Sequence, residues 1–345
     1  MSTPQPSGQT PVPSNQAPKN SKVPLMTEEP VRVYHTGRNI FIGIAVVLVI
    51  VFVAVFGLRS VNAENNAPKG SKENPVVIGV VGATNPQWVA FQDEALKQGI
   101  YVQIKDFQDY TSENPALAAG SLDMNEFQHL LYLANFNVKN NEDLQPIGGD
   151  AIYPLGLYPT YENGKPKYKS INELPANATV AIPNDETNQS RAIGVLKAAG
   201  LITLNKKWTP FTIPQDIDTA HSRVKVVAMK AEQIANSLKS DPTIAAGVIN
   251  NDYVADAGLV PEDAIYHDDA DSEEARPYIN VFVVRKADVD NDVYRKIVKI
   301  YQTKPVMDAL QKLSGGTAVF ADKFSAEELQ QYLADIEQDI RDESK

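Results

Sequence analysis

TVAIPNDETNQSRAIGVLKAAG, residues 179–200, changes its period halfway along. Its first five residues are mostly apolar, with β-branched Thr179, Val180 and Ile182, and Pro183 closes them, so they predict a short buried strand. From Asn188 to Ala199 the apolar positions recur at helical spacing, and Gly200 supplies the stop. The polar turn between them, PNDETNQS, lies where a strand ends and a helix begins, which is where open α/β sheets take ligands. The same alternation appears on both sides. Upstream, 76–82 reads as a strand, 87–98 as a helix, 101–107 as a strand and 114–120 as a short helix. A strand at 122–127 and a helix at 129–136 follow. Downstream come strands at 224–228, 246–249 and 279–285, with helices at 232–238 and 290–313. Ser325 and Glu328 form a capping box that opens a last helix running towards Asp342. Strand and helix in regular succession predict doubly wound α/β architecture. The alternation restarts after Tyr153-Pro154-Leu155-Gly156-Leu157-Tyr158 and returns near Arg276-Pro277-Tyr278. These two crossings predict two lobes, the second inserted into the first, joined by a two-strand hinge of the kind that closes over a ligand.

Working outward, the N-terminal part differs in kind. Residues 40–58, IFIGIAVVLVIVFVAVFGL, carry no charge. A helix of that length spans about 28 Å, enough for a bilayer core of roughly 30 Å. Residues 1–39 are rich in Pro, Ser, Gln and Asn and predict a disordered tail. Residues 59–74 read as a polar linker. An uncleaved anchor is favoured over a signal peptide cut after Ala63, because the apolar run exceeds the usual h-region and a long tail precedes it. The charges divide at the same place: residues 1–74 hold 7 Lys/Arg and 4 Asp/Glu, and the rest of the chain holds 25 and 39, within totals of 32 and 43. An acidic domain lacks the clustered cations that nucleic acid needs, so no nucleic-acid partner is expected. The 345 residues include no cysteine, which removes disulfides, thiolate metal sites and cysteine nucleophiles.

No enzyme constellation emerges. The four histidines, His35, His129, His221 and His267, are scattered, and no phosphate loop, dinucleotide loop, zinc motif or nucleophile elbow is present. The acidic run 268–274 reads as a solvated loop. No catalytic residue, metal or cofactor is expected. Three other stretches fall at strand-to-helix junctions: DMNEFQH (123–129) followed by Tyr132, PNDETNQSRA (183–192), and INNDY (249–253). Together they offer an arginine, several amides and aromatic rings. Arginine can hold a carboxylate by two bonds, amides can bond both ends of a zwitterion, and aromatic faces suit a thioether. That is the composition of an amino-acid site.

On DMNEFQHLLYL, AIPNDETNQSRAIGVLKAAGLITL, GVINNDYVADAGL, PYINVFVVR and Ser314-Gly315-Gly316, residues 75–322 resemble the methionine-binding proteins of ABC importers, the MetQ/NlpA lipoprotein family. The resemblance implies a two-lobe, type II periplasmic-binding-protein fold, here behind an N-terminal transmembrane helix. Lobe I would comprise 75–155 and 276–345, and lobe II 156–275. It implies a membrane-anchored extracytoplasmic binding protein that delivers methionine to an ABC permease and its ATPase. D-methionine, a methionine dipeptide or another small apolar amino acid remain open as ligands, as does a surface antigen that has lost transport. By motif, Arg191 would grip the ligand carboxylate, and Asn250 and Asn280 its polar end. Tyr110, Phe127 and His129 would wall the side chain, with Tyr132 and Asn188 beside them. Two departures stand out: the first-strand loop reads Gly82-Ala83-Thr84-Asn85-Pro86-Gln87-Trp88, and no cysteine is present to carry the family's lipid, so residues 40–58 would replace it as the tether.

Overall fold

Val76–Val81 (β1) buries five of its six residues, as a strand with neighbours on both sides must. It runs parallel to β2 (Val102–Phe107) and β3 (Met124–His129), with α1 (Pro86–Lys97) and α2 (Glu113–Ala118) in the crossovers. The structure, a computed structural model, describes residues 67–343. The expected tail, the apolar run 40–58 and the first part of the expected linker lie outside them. Among the described residues no helix is long and apolar enough to cross a membrane.

After β3 the chain forms α3 (Leu130–Asn140) and the edge strand β4 (Leu144–Gly149), then passes through β5 (Ala151–Ile152) into a second sheet. There β6 (Gly156–Pro159) precedes a small hairpin, β7 (Tyr161–Glu162) and β8 (Lys165–Pro166). Next come β9 (Thr179–Pro183), α4 (Glu186–Ala198), β10 (Lys225–Met229), α5 (Ala231–Ser240), β11 (Ile244–Ile249), α6 (Asp252–Asp256) and β12 (Tyr266–His267). The chain then returns. β13 (Asn280–Arg285) enters the first sheet, followed by α7 (Asp292–Tyr301), α8 (Lys304–Leu313), β14 (Val319–Phe320) and α9 (Ala326–Glu343). The sheet orders are β2-β1-β3-β13-β4 and β10-β9-β11-β6-β12.

Neither sheet is purely parallel. β13 is antiparallel to β3 and β4, because a chain returning from the other half enters its sheet from the opposite end. β6 is antiparallel to β11 and β12 for the same reason. β14 pairs with β5 beside the crossing, and α9 packs over α3 and β4. The expected helix 290–313 is two helices: α7 ends at Tyr301, and Pro305 sits in the first turn of α8, where its missing N–H costs nothing. The end of the stretch read as linker is pinned to the first sheet. Lys69 Nζ lies 3.0 Å from Asp123 Oδ2, and Tyr101 donates its N–H to the Gly70 carbonyl at 2.8 Å.

Candidate functional site

β3 carries the residues that begin the site, and it is fully buried although four of its six side chains are polar. An amide network makes that burial tolerable. Asn114 Nδ2 donates to Gln128 Oε1 at 2.7 Å, and Gln128 Nε2 donates to Asn114 Oδ1 at 2.6 Å and Asn125 Oδ1 at 3.0 Å. His129 ends the strand and caps α3: its Nδ1 accepts the Tyr132 N–H at 3.1 Å. That bond fixes the proton on Nε2, which lies 3.3 Å from Asn188 Oδ1. Burial, reinforced by the Arg191 charge, pushes the imidazole down to about 3, so His129 is neutral at physiological pH.

From the second sheet, Asp185 caps α4. Its Oδ1 accepts the Asn188 N–H at 2.9 Å and the Asn188 amide at 3.0 Å. Asn188 thus turns its oxygen towards Asn250, whose Nδ2 donates to it at 2.8 Å. The other amide atom, Asn250 Oδ1, is buried without a partner among the described residues. A buried acceptor left unpaired carries a desolvation cost that a bound donor removes.

Arg191, one helical turn beyond Asn188, is 5% exposed. Its Nε donates to Asp268 Oδ2 at 2.7 Å, and its Nη2 to the Tyr153 carbonyl at 2.8 Å and Asp268 Oδ1 at 3.3 Å. The guanidinium stacks on Tyr278, 4.1 Å from the ring centre. Only Nη1 has no protein partner among the described residues. The fork therefore ties α4 to both crossings between the halves, and Asp268 neutralises its charge. This corrects the reading of 268–274 as a merely solvated loop: Asp268 also accepts the Leu155 N–H at 2.7 Å.

The aromatic wall comes from the first half. Tyr110 lies with its ring centre 5.8 Å from Phe127, 6.2 Å from Tyr132 and 5.1 Å from Tyr253. The Tyr132 hydroxyl donates to the Tyr110 carbonyl at 2.9 Å, which holds the wall rigid. The Tyr110 hydroxyl reaches across to the second half and donates to Asp252 Oδ2 at 2.8 Å. Besides this bond and that of His129 to Asn188, an ion pair joins Lys139 to Glu186 across the halves.

The structure brings Arg191, Asn250, Asn280, Tyr110, Phe127, His129, Tyr132 and Asn188 around one cavity between the two sheets, with about 420 Å³ of empty space, part of it continuous with solvent. Gln128, Tyr153, Pro154, Leu155, Asn251 and Asp252 complete its lining. The sequence marks the string holding Asp252 and the crossing holding Tyr153 but assigns neither residue to the site. Asn188 and Tyr132 face the cavity with most of their polar groups already bonded inside the protein. The first-strand loop, singled out as a departure, contributes nothing to the lining; Trp88 is buried in the core instead. No group of three or more His, Asp or Glu residues able to hold a metal occurs among the described residues.

Residues 76–321 match the family described as NlpA lipoprotein. The D-methionine-binding lipoprotein MetQ of Salmonella typhi is 33% identical over 249 residues, 71% of this chain and 88% of its own. Among solved structures, the substrate-binding protein of a methionine transporter from Streptococcus pneumoniae superposes with a TM-score of 0.65 at 30% identity, covering 71% of this chain and 95% of that one. A nutrient-binding protein from Burkholderia cenocepacia, solved bound to methionine, superposes with a TM-score of 0.63 at 32% identity, covering 71% and 99%.

Proposed function

From its membership of the NlpA lipoprotein family, to which this chain belongs, and from the chemistry of its cavity, we propose that it is the solute-binding protein of an ABC importer. It captures methionine between the two sheets and delivers it to a permease driven by a cytoplasmic ATPase. It is a binding protein and not an enzyme. The observation that carries the reading is the cavity itself, where a buried arginine, an unpaired amide oxygen and a wall of rings lie between two halves that the chain joins twice.

In this reading the first and last parts of the chain form one lobe and the middle forms the other, with the crossings at 150–155 and 268–279 as hinge. The ligand carboxylate takes the remaining Arg191 nitrogen and the Asn280 amide, and the Asn250 oxygen accepts from the amine. The thioether lies against Phe127 and Tyr110, where burial of such a side chain is worth roughly 1.5–3 kcal/mol. One methylene changes binding by only about 1–3 kcal/mol, so norleucine and ethionine are rejected weakly. Glutamate and lysine side chains are excluded, because their charges would be buried among rings.

Residues 40–58 serve as the tether, with the folded part outside the cytoplasm. The sequence holds no cysteine, so a thiol-linked lipid has no attachment atom in it. Carbonate washing should leave the full chain in the membrane pellet; a mature N-terminus at Glu64 would refute the anchor.

Mass spectrometry of ligand released from the purified protein, with a thermal-shift panel of amino acids including D-methionine, tests the function. Methionine in the released fraction and the largest shift with methionine are expected. A strong shift with glutamate or lysine and none with methionine would overturn the ligand assignment.

A further inference from the structure

Asn250 is held so that its amide cannot turn over. Asp185 Oδ1 accepts both the backbone N–H and the side-chain amide of Asn188, at 2.9 and 3.0 Å, which commits Asn188 Nδ2 to the helix cap. The neighbour on the other side imposes the same orientation. His129 Nδ1 accepts the Tyr132 N–H at 3.1 Å, so its proton sits on Nε2, 3.3 Å from Asn188 Oδ1, and needs an acceptor there. A backbone N–H of one half and a capping carboxylate of the other therefore agree on which way Asn188 faces. Asn188 Oδ1 fills its remaining lone pair with Asn250 Nδ2 at 2.8 Å. Turning Asn250 over would set two amide oxygens against each other. The atom left to the cavity is Asn250 Oδ1, without a protein partner among the described residues, on a lining residue only 9% exposed. An oxygen fixed in this way accepts and never donates. A ligand group against it gains from an N–H or O–H and loses from a second oxygen, because a buried acceptor without a donor keeps its desolvation cost.

We propose that Asn188 is a positioning residue rather than a ligand contact: held by Asp185 and His129, it locks Asn250 as an acceptor, so that the cavity admits α-substituents carrying a donor and rejects 2-oxo acids. This rests on the reading of the cavity as an amino-acid site and adds to it a rule for the group on the ligand's α-carbon.

The experiment compares 2-hydroxy-4-(methylthio)butanoate with 4-(methylthio)-2-oxobutanoate, with methionine as reference. The two acids share charge, length and thioether, and differ in having or lacking a donor on the α-carbon. Both are measured by calorimetry, or by displacement of methionine where binding is weak, on the full chain in detergent. Wild type should bind the hydroxy acid at least about tenfold more tightly than the oxo acid. Asn188→Leu removes the lock and lets Asn250 offer its Nδ2 instead, so the ratio should fall towards one. Asn188→Asp, which still accepts from Asn250, should keep most of the ratio. Asp185→Ser preserves a cap for the helix but loses the second acceptor for Asn188, so its ratio should lie between. Where the leucine variant does not fold, Asn188→Ala takes its place. A wild type that does not separate the two acids overturns the proposal while leaving methionine binding intact. So does an Asn188→Leu protein that weakens both acids alike and keeps the full ratio, which is the mark of a merely structural role. A wild type that ignores methionine altogether would instead refute the proposed function.

Discussion

Arg191→Ala should unfold the ligand-free protein more readily, in addition to weakening ligand. The guanidinium makes two bonds to Asp268, one to the Tyr153 carbonyl, and a stack on Tyr278. Removing one partner of a buried ion pair costs about 3–5 kcal/mol, mostly because the other charge is left unpaired. The Arg191 side chain is 6% exposed, but that of Asp268 is 25% exposed and can recruit water, so the lower end applies, about 3 kcal/mol. For a domain of this size that corresponds to a melting shift of roughly 6–12 °C. Thermal unfolding of ligand-free protein, followed by tryptophan fluorescence, reads it. Adding Asp268→Asn to Arg191→Ala should return part of the loss, because no carboxylate is then stranded. Arg191→Lys should fall between, since an ammonium cannot reproduce the two-bond fork. A ligand-free Arg191→Ala protein melting within about 2 °C of wild type would refute the structural role and leave the arginine to the ligand alone.

Asp150 lies under the first crossing with the Glu126 carboxyl next to it, and burial raises its own carboxyl well above the usual carboxylate range against the opposing bond from the Tyr153 hydroxyl. Its folded value exceeds the unfolded one of about 3.9, so its contribution is fully present below about pH 4 and is lost as pH rises through the folded value. Asp150→Asn should therefore melt above wild type at pH 8, with the advantage gone at pH 4; comparing the two proteins cancels His129, which acts in the opposite direction between about 3 and 6.5. Equal melting profiles across that range would rule this out. Phe127→Ala should weaken methionine about tenfold in calorimetry and alanine much less, because only the longer side chain reaches the ring. A fragment beginning at Pro75 should melt several degrees below one beginning at Ala67, having lost the Lys69 ion pair and the Gly70 carbonyl bond.

Strand β9 and the capping box at Ser325 were fully legible, because their signals are local: Ser325 donates its N–H to Glu328 Oε2 at 2.8 Å and accepts the Glu328 N–H on its hydroxyl at 3.2 Å. The third strand was placed two residues early. Asp123 leads into it, accepting the Val77 N–H on its carboxylate at 2.8 Å and donating its own N–H to the Val77 carbonyl at 2.9 Å, and His129 belongs to the strand rather than to the helix it caps. β4 escaped notice because LQPIGG holds a proline and two glycines. The proline is acceptable at a sheet edge, and the glycines are required by neighbours: a Cβ at Gly148 would stand 2.2 Å from Val298, and one at Gly149 2.5 Å from the Ala321 carbonyl. The cavity's motif residues were legible because each sits at the end of a strand. Asp268 was not, since a run of acids looks solvated until its partner, 77 residues away, is in place.

The insertion of β13 between β3 and β4 sets an order of assembly. The second sheet draws all its strands from one continuous stretch and can complete itself as soon as that stretch is available. The first sheet cannot: β3 and β4 stay unpaired along their shared edges until Asn280–Arg285 arrives, long after both have been synthesised. Closing so long a loop is slow, and open strand edges are what proteases and other nascent chains attack. A chain that emerges in sequence order would thus complete the second sheet while the first still waits for residues 280–285. Truncations or stalled chains ending before residue 280 should accumulate as half-built molecules with a finished second sheet and an unfinished first.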